Sequence, residues 1–241
     1  KVPVKPLEKH DLKPVRYLVS AIICIFMMYA GNILGTIITA LLQLLPGISA
    51  GNPILSYATD NALLPKILFM VILAPVIEEY IFRKQLIDRM HVYGEKLAVI
   101  TSALMFGLFH GNLSQLFYAF ALGLVFGYVY LKTGKLRYSI SLHMLINFIG
   151  SVAGPFFLEK IAVLGTMETL DMVALESIMP WLIGFGAYVL VLIGLAITGL
   201  VLLCINKRRV SFAPAELELP KESRFKTVYV NVGMILLILG C

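Results

Sequence analysis

Charge is scarce in this chain. Only 14% of its 241 residues are Asp, Glu, Lys or Arg, while 59% are hydrophobic. A water-soluble globule of this size is excluded by that ratio, because its exterior would have to be apolar. Cysteine is scarce too. Cys24, Cys204 and Cys241 sit in or beside apolar runs, far apart and with no CxxC pair. That pattern gives no support to a disulfide framework or a thiolate metal site. Also missing are an internal repeat, a low-complexity tract, a cleavable signal peptide with a small-residue site, and the HExxH zinc signature. Tryptophan occurs once, as Trp181 at the start of an apolar run, where it reads as an interfacial anchor.

What the chain does have is apolar runs of membrane length. A hydrocarbon core of about 30 Å takes about 20 apolar residues to cross as a helix. Runs of that kind fall at about 17–45, 66–90, 96–111, 114–131, 138–157 and 180–205. A seventh begins near 227 and is cut at Cys241. The expected fold is therefore an all-α polytopic membrane protein, a bundle of about seven or eight transmembrane helices with the last truncated in this chain. Residues 1–16 form a basic N-terminal segment, 17–206 the helical bundle, 207–226 a polar linker holding two prolines, and 227–241 the start of a further helix.

The basic residues are placed unevenly. Lys1, Lys5, Lys9, Lys13 and Arg16 precede the first run, and Arg83, Lys84, Arg89 and Lys96 lie between the second and third. Lys132, Lys135 and Arg137 follow the fourth, and Lys207, Arg208, Arg209, Lys221, Arg224 and Lys226 precede the seventh. Of 20 Lys and Arg, only Lys66 and Lys160 remain for the other side, whose loops carry Glu159, Glu168, Asp171 and Glu176. The positive-inside rule then puts the N-terminus, and the 207–226 linker, in the cytoplasm of a multi-pass protein of the cell membrane, with a bacterial look to the topology. The net charge of +6 is a topology signal; attraction to anionic headgroups accounts for it without nucleic acid.

Against this background, ionisable residues inside the runs mark function. Glu78, Glu79 and Arg83 lie in the second, His110 in the third, and His143 with Asn147 in the fifth. Glu79 and Arg83 are four apart with the acid first, the favourable order for an ion pair along a helix. Glu78 is turned by about 100° from Glu79 and can face another neighbour. His143 and Asn147, also four apart, point to one side. Gly107 with Gly111, and Gly123 with Gly127, have the spacing that lets membrane helices approach closely. Pro75 removes one helix hydrogen bond three residues before the glutamates, which predicts a kink or loosening there. Straight parallel helices would leave these groups spread over about 12 Å in depth, so a common site requires that kink or helix tilt. His10 and His91, in polar flanks, are expected to be solvated.

Glu78-Glu79-Tyr-Ile-Phe-Arg83 resembles the EExxxR motif of the CPBP family, the CAAX proteases and bacteriocin-processing enzymes also called the Abi family. Phe106-Gly-Leu-Phe-His110 resembles its FxxxH motif, and His143-Met-Leu-Ile-Asn147 its HxxxN motif, in the family's order within about residues 65–150. The resemblance implies an intramembrane endopeptidase similar to the type II CAAX prenyl endopeptidases, with a protease core at about 65–157. It implies Glu78 as general base, His110 orienting a water, and His143 with Asn147 as the oxyanion site, supported by the Glu79–Arg83 pair. The substrate would be a membrane-associated peptide or protein. No cofactor is favoured. A zinc version would use His110, His143 and Glu78 or Glu79, an acceptable His₂Glu set. Two other classes share these residues: an ion-coupled transporter, for which inverted repeats are absent, and a non-catalytic immunity or scaffold protein, for which a lost Glu78 or His would be the sign. None is lost.

Overall fold

The computed structural model describes residues 4–45, 63–162, 172–217 and 219–240, and over them the chain is helical without a strand. Lys1, Glu168, Asp171 and Cys241, which entered the charge and cysteine arguments, lie outside the described residues. The helices are α1 (Pro14–Gln43), α2 (residues 63–93), α3 (Glu95–Phe109), α4 (Leu113–Thr133), α5 (Leu136–Ala162), α6 (Met172–Asn206), α7 (Lys221–Tyr229) and α8 (Val232–Gly240).

Four of them are long and apolar enough to cross a membrane: Pro14–Gln43, Leu113–Thr133, Leu136–Ala162 and Leu175–Arg209. The expected runs at 66–90 and 96–111 are helical but of another kind. α2 carries the charged residues and alternates α-helical with π-helical turns, at Lys66–Leu73 and Tyr80–Gln85. α3 has 15 residues and ends at Phe109, just before His110. The run expected from 227 is interrupted: α7 ends at Tyr229, and α8 is a separate piece of nine residues.

α1 packs lengthwise on α4 and α6, and α3 on the other side of α4. One apolar core joins Cys24, Ile25 and Met28 of α1 to Leu122 and Phe126 of α4, Leu142 and Ile146 of α5, and Leu192 of α6. Small residues permit the close crossings. A Cβ on Gly31 would run into the Cα of Tyr118, and one on Gly123 would lie 2.9 Å from the Cα of Ala103. Gly31 and Gly35 form the same small-residue spacing on α1 that the sequence shows on α3 and α4. The apolar residues left outside, such as Leu18, Ile37, Leu190 and Ile197, face outward as a lipid solvent requires.

The basic connections meet at one end of the bundle. The N-terminal segment crosses that end, with Lys5 N–H donating to Asp88 O and His10 N–H to Thr133 O. Asp11 takes hydrogen bonds from Lys135, Arg137 and Tyr138. The 210–217 stretch lies beside it: Glu216 and Leu217 both donate to Val92 O, Ala213 N–H donates to Glu95, and Lys5 pairs with Glu216. His10 is exposed as expected. His91 is instead engaged, its Nε2 lying 2.7 Å from Lys5 O, because the N-terminal segment folds over it.

Candidate active site

α2, α3, α4 and α5 deliver the polar residues to one place. Glu79 and Arg83 form the expected pair, both wholly buried, with Nε 3.0 Å from Oε2 and Nη2 3.3 Å from Oε1. Arg83 also donates to Ser102 Oγ of α3 at 2.6 Å, and that hydroxyl donates to Phe82 O. A buried arginine needs such a set of acceptors, since its charge has no water to face. Its guanidinium lies over the Phe106 ring, 4.8 Å from the centroid, which adds a cation–π contact.

His143 of α5 enters from the other side, its side chain only 4% exposed. Its Nδ1 is 3.2 Å from Glu79 Oε1, and its Nε2 is 3.7 Å from Glu78 Oε2. Nδ1 is thus hydrogen-bonded to Glu79, whereas Nε2 lies near Glu78 but beyond hydrogen-bond distance. Phe126 stacks on the imidazole at 5.2 Å, which fixes the ring plane. The expectation that Glu78 is turned away from Glu79 holds in the fold: Glu79 is spent on Arg83 and His143, while Glu78 lines an open cavity.

His110 sits beyond the last turn of α3 and not within it. The chain reverses at Gly111, whose φ of 57° is a left-handed conformation that favours glycine. Thus Gly111 serves the turn, and only Gly107 of the expected pair serves packing, against Leu116 O. Asn112 then caps α4, its side chain accepting from Ser114 N–H at 2.9 Å. The His110 Nδ1 is 2.8 Å from Phe106 O, an acceptor, so Nδ1 donates and Nε2 is left with a free lone pair. Phe106 connects the two histidines edge-on, 5.0 Å from His110 and 5.5 Å from His143 between ring centroids.

Glu78, His110, His143 and Asn147 all line a single cavity of about 530 Å³, together with Met70, Gln115 and Tyr118. These residues share the cavity although straight parallel helices would separate them in depth; π-helical turns lie on both sides of Glu78 in α2, and His110 sits at a helix end. Asn147 does not point freely into that space: its Nδ2 donates to Met70 O at 2.8 Å. Sequence reasoning missed Ser102, Phe126, Tyr118 and Met70. Ser102 and Phe126 carry no signal in a single sequence, being ordinary residues for packed membrane helices. The phenylalanine of FxxxH was visible as a motif letter, but its contact with three charged or polar groups was not. No three His, Cys, Asp or Glu side chains among the described residues are spaced to hold a metal ion, and one nitrogen of the expected ligand His110 is taken by a backbone carbonyl.

Comparison with known proteins adds to this geometry. Residues 60–149 match the family model described as type II CAAX prenyl endopeptidase Rce1-like. Among curated proteins, the membrane-embedded CAAX protease MroQ of Staphylococcus aureus (strain USA300) is 32% identical over 88 residues. That match spans 34% of this chain and 36% of the relative, about a third of each. No solved structure matches the chain. The matched stretch holds all three motifs and the polar cluster around Glu78, Arg83, His110 and His143, and over it this chain is similar to the type II CAAX prenyl endopeptidases.

Proposed function

We propose that this protein is an intramembrane endopeptidase, hydrolysing a peptide bond of a membrane-associated peptide or protein with a water activated by Glu78 and His110. The observation that carries the reading is the unequal placement of the two adjacent glutamates. Glu79 is closed off by Arg83 and His143, whereas Glu78 faces a cavity shared with His110.

A water between them gives one proton to Glu78 while its other hydrogen is held by the free His110 Nε2. The resulting hydroxide attacks the carbonyl carbon, forming the C–O bond and moving the carbonyl electron pair onto oxygen. His143, at the edge of Glu78, is the donor proposed for that oxyanion, while Asn147 lines the same cavity with its Nδ2 bonded to Met70 O. Donors preorganised in a water-poor site are worth several kcal/mol at this step. Collapse of the intermediate breaks the C–N bond, and protonated Glu78 returns its proton to the leaving amine. No metal is assigned a role. The family resemblance and the relative's name both speak for a peptide substrate, and the exposed apolar surface speaks for a substrate met in or at the bilayer.

The test uses purified protein in detergent or liposomes with candidate leader and signalling peptides. Cleavage lost in Glu78→Gln is expected; cleavage unchanged in that variant would sink the proposal. Capture of uncleaved peptide by Glu78→Gln, read by mass spectrometry, would then name the substrate.

A further inference from the structure

In a regular α-helix Met70 O would accept from residue 74. Here the Ala74 N–H donates five residues back, to Phe69 O, because this part of α2 is π-helical. In that register the partner of Met70 O is residue 75, which is Pro75 and has no N–H to give. A carbonyl stranded in this way within a membrane bundle is costly and demands another donor. The donor is Asn147 Nδ2, at 2.8 Å.

We propose, resting on the reading of Glu78 as general base, that Asn147 is a positioning residue for Glu78: it replaces the hydrogen bond that Pro75 removes and so holds the turn carrying the glutamates. The attachment has two points. One turn before Asn147 on the same face of α5, His143 reaches Glu79 and Glu78. About two turns before Glu78 on α2, Met70 O receives Asn147. Between these points lies the break at Pro75, three residues before Glu78. Without the second point the break becomes a hinge, and the Glu78 carboxylate loses its fixed direction toward His110. On this account the HxxxN spacing matters because both side chains must leave α5 on one face to grip the same neighbouring helix at two heights.

Four proteins decide it: wild type, Asn147→Leu, Pro75→Ala, and the double variant. Alanine at 75 restores a backbone N–H in register for Met70 O. Thermal unfolding in detergent is measured for all four, with kcat and KM on a peptide that the wild type cleaves. Asn147→Leu is expected to lower the melting midpoint by about 3 °C or more. It should also lower kcat by about a hundredfold with little change in KM, as misplacement of a catalytic group does. Pro75→Ala alone should stay near wild type, and the double variant should recover most of both losses. A double variant no more stable than Asn147→Leu overturns the proposal. So does one that regains stability but not kcat, since Asn147 would then act on the substrate itself. The melting arm needs no substrate. If the wild type cleaves nothing, yet the double variant melts like wild type, the protease reading fails while the placement of Asn147 stands.

Discussion

α2 and α6 are the two longest helical runs among the described residues, and they are built in opposite ways. α6 runs unbroken for 35 residues, Met172–Asn206, with Pro180 tolerated near its start and no Asp, Glu, His, Lys or Arg in its apolar window. Only 11% of that window is buried. α2 changes register several times, carries Glu78, Glu79, Arg83 and Asp88, and packs its charges against three other helices. The difference shows how a membrane bundle separates its tasks. A helix that meets lipid needs only length and hydropathy, whereas a helix that holds charge needs a partner for every polar atom and gives up regularity to get it.

The sharpest way to break this contrast is at Glu78. Glu78→Gln should lower peptide hydrolysis by about a thousandfold, within the range for a general base, while the melting midpoint hardly changes. The buried pair comes next. Arg83→Leu leaves Glu79 as an uncompensated charge, and a loss of about 3–5 kcal/mol is expected in detergent unfolding. Arg83→Lys should restore only part of it, since a lysine cannot serve Glu79 and Ser102 together. Gly31→Val should cost about 1–3 kcal/mol through overpacking against Tyr118, and should lower activity because Tyr118 lines the cavity. On α6, by contrast, Leu190→Ala at a 70% exposed position should stay within about 0.5 kcal/mol. Treatment with a chelator should leave hydrolysis unchanged; loss of activity restored by zinc would break the proposed mechanism.

The smallest effect lies at the basic end. Hydrogen bonds from Lys135 and Tyr138 hold the Asp11 carboxyl below its ordinary range, and one from Lys5 does the same for Glu216. A lowered folded-state value contributes above the ordinary carboxylate pKa of about 4 and is lost as pH falls through the lowered value. Hydrogen exchange of residues 4–13 should therefore be flat from neutral pH down to about 5. Protection should fall only in stronger acid.

Much of this was legible because membrane sequences are sparse in charge. With so few ionisable residues inside apolar runs, Glu78, Glu79, Arg83, His110 and His143 could be picked out by type alone, and their spacing foretold the Glu79–Arg83 pair and the shared face of His143 and Asn147. The register of α2 was not legible. Pro75 announced a lost hydrogen bond, but the choice between kink and π-helical turn depends on which donor replaces it, and that donor is 77 residues away. The end of α3 was misjudged by two residues for a related reason: His110 and Gly111 fit a helix by hydropathy, and only the tertiary fold requires the left-handed turn at Gly111. Phe126 and Ser102 stayed hidden because their importance comes entirely from what they touch.

The crossing of the basic end by residues 4–13 and 210–217 also sets an order of events during synthesis. Residues 4–13 leave the ribosome before the helices do, yet their partners are Asp88 O, Thr133 O, Lys135 and finally Glu216. Each span can enter the bilayer as it is made, but this seam must wait for the last of these residues to emerge. A segment translated before all its partners is thus among the last to be secured.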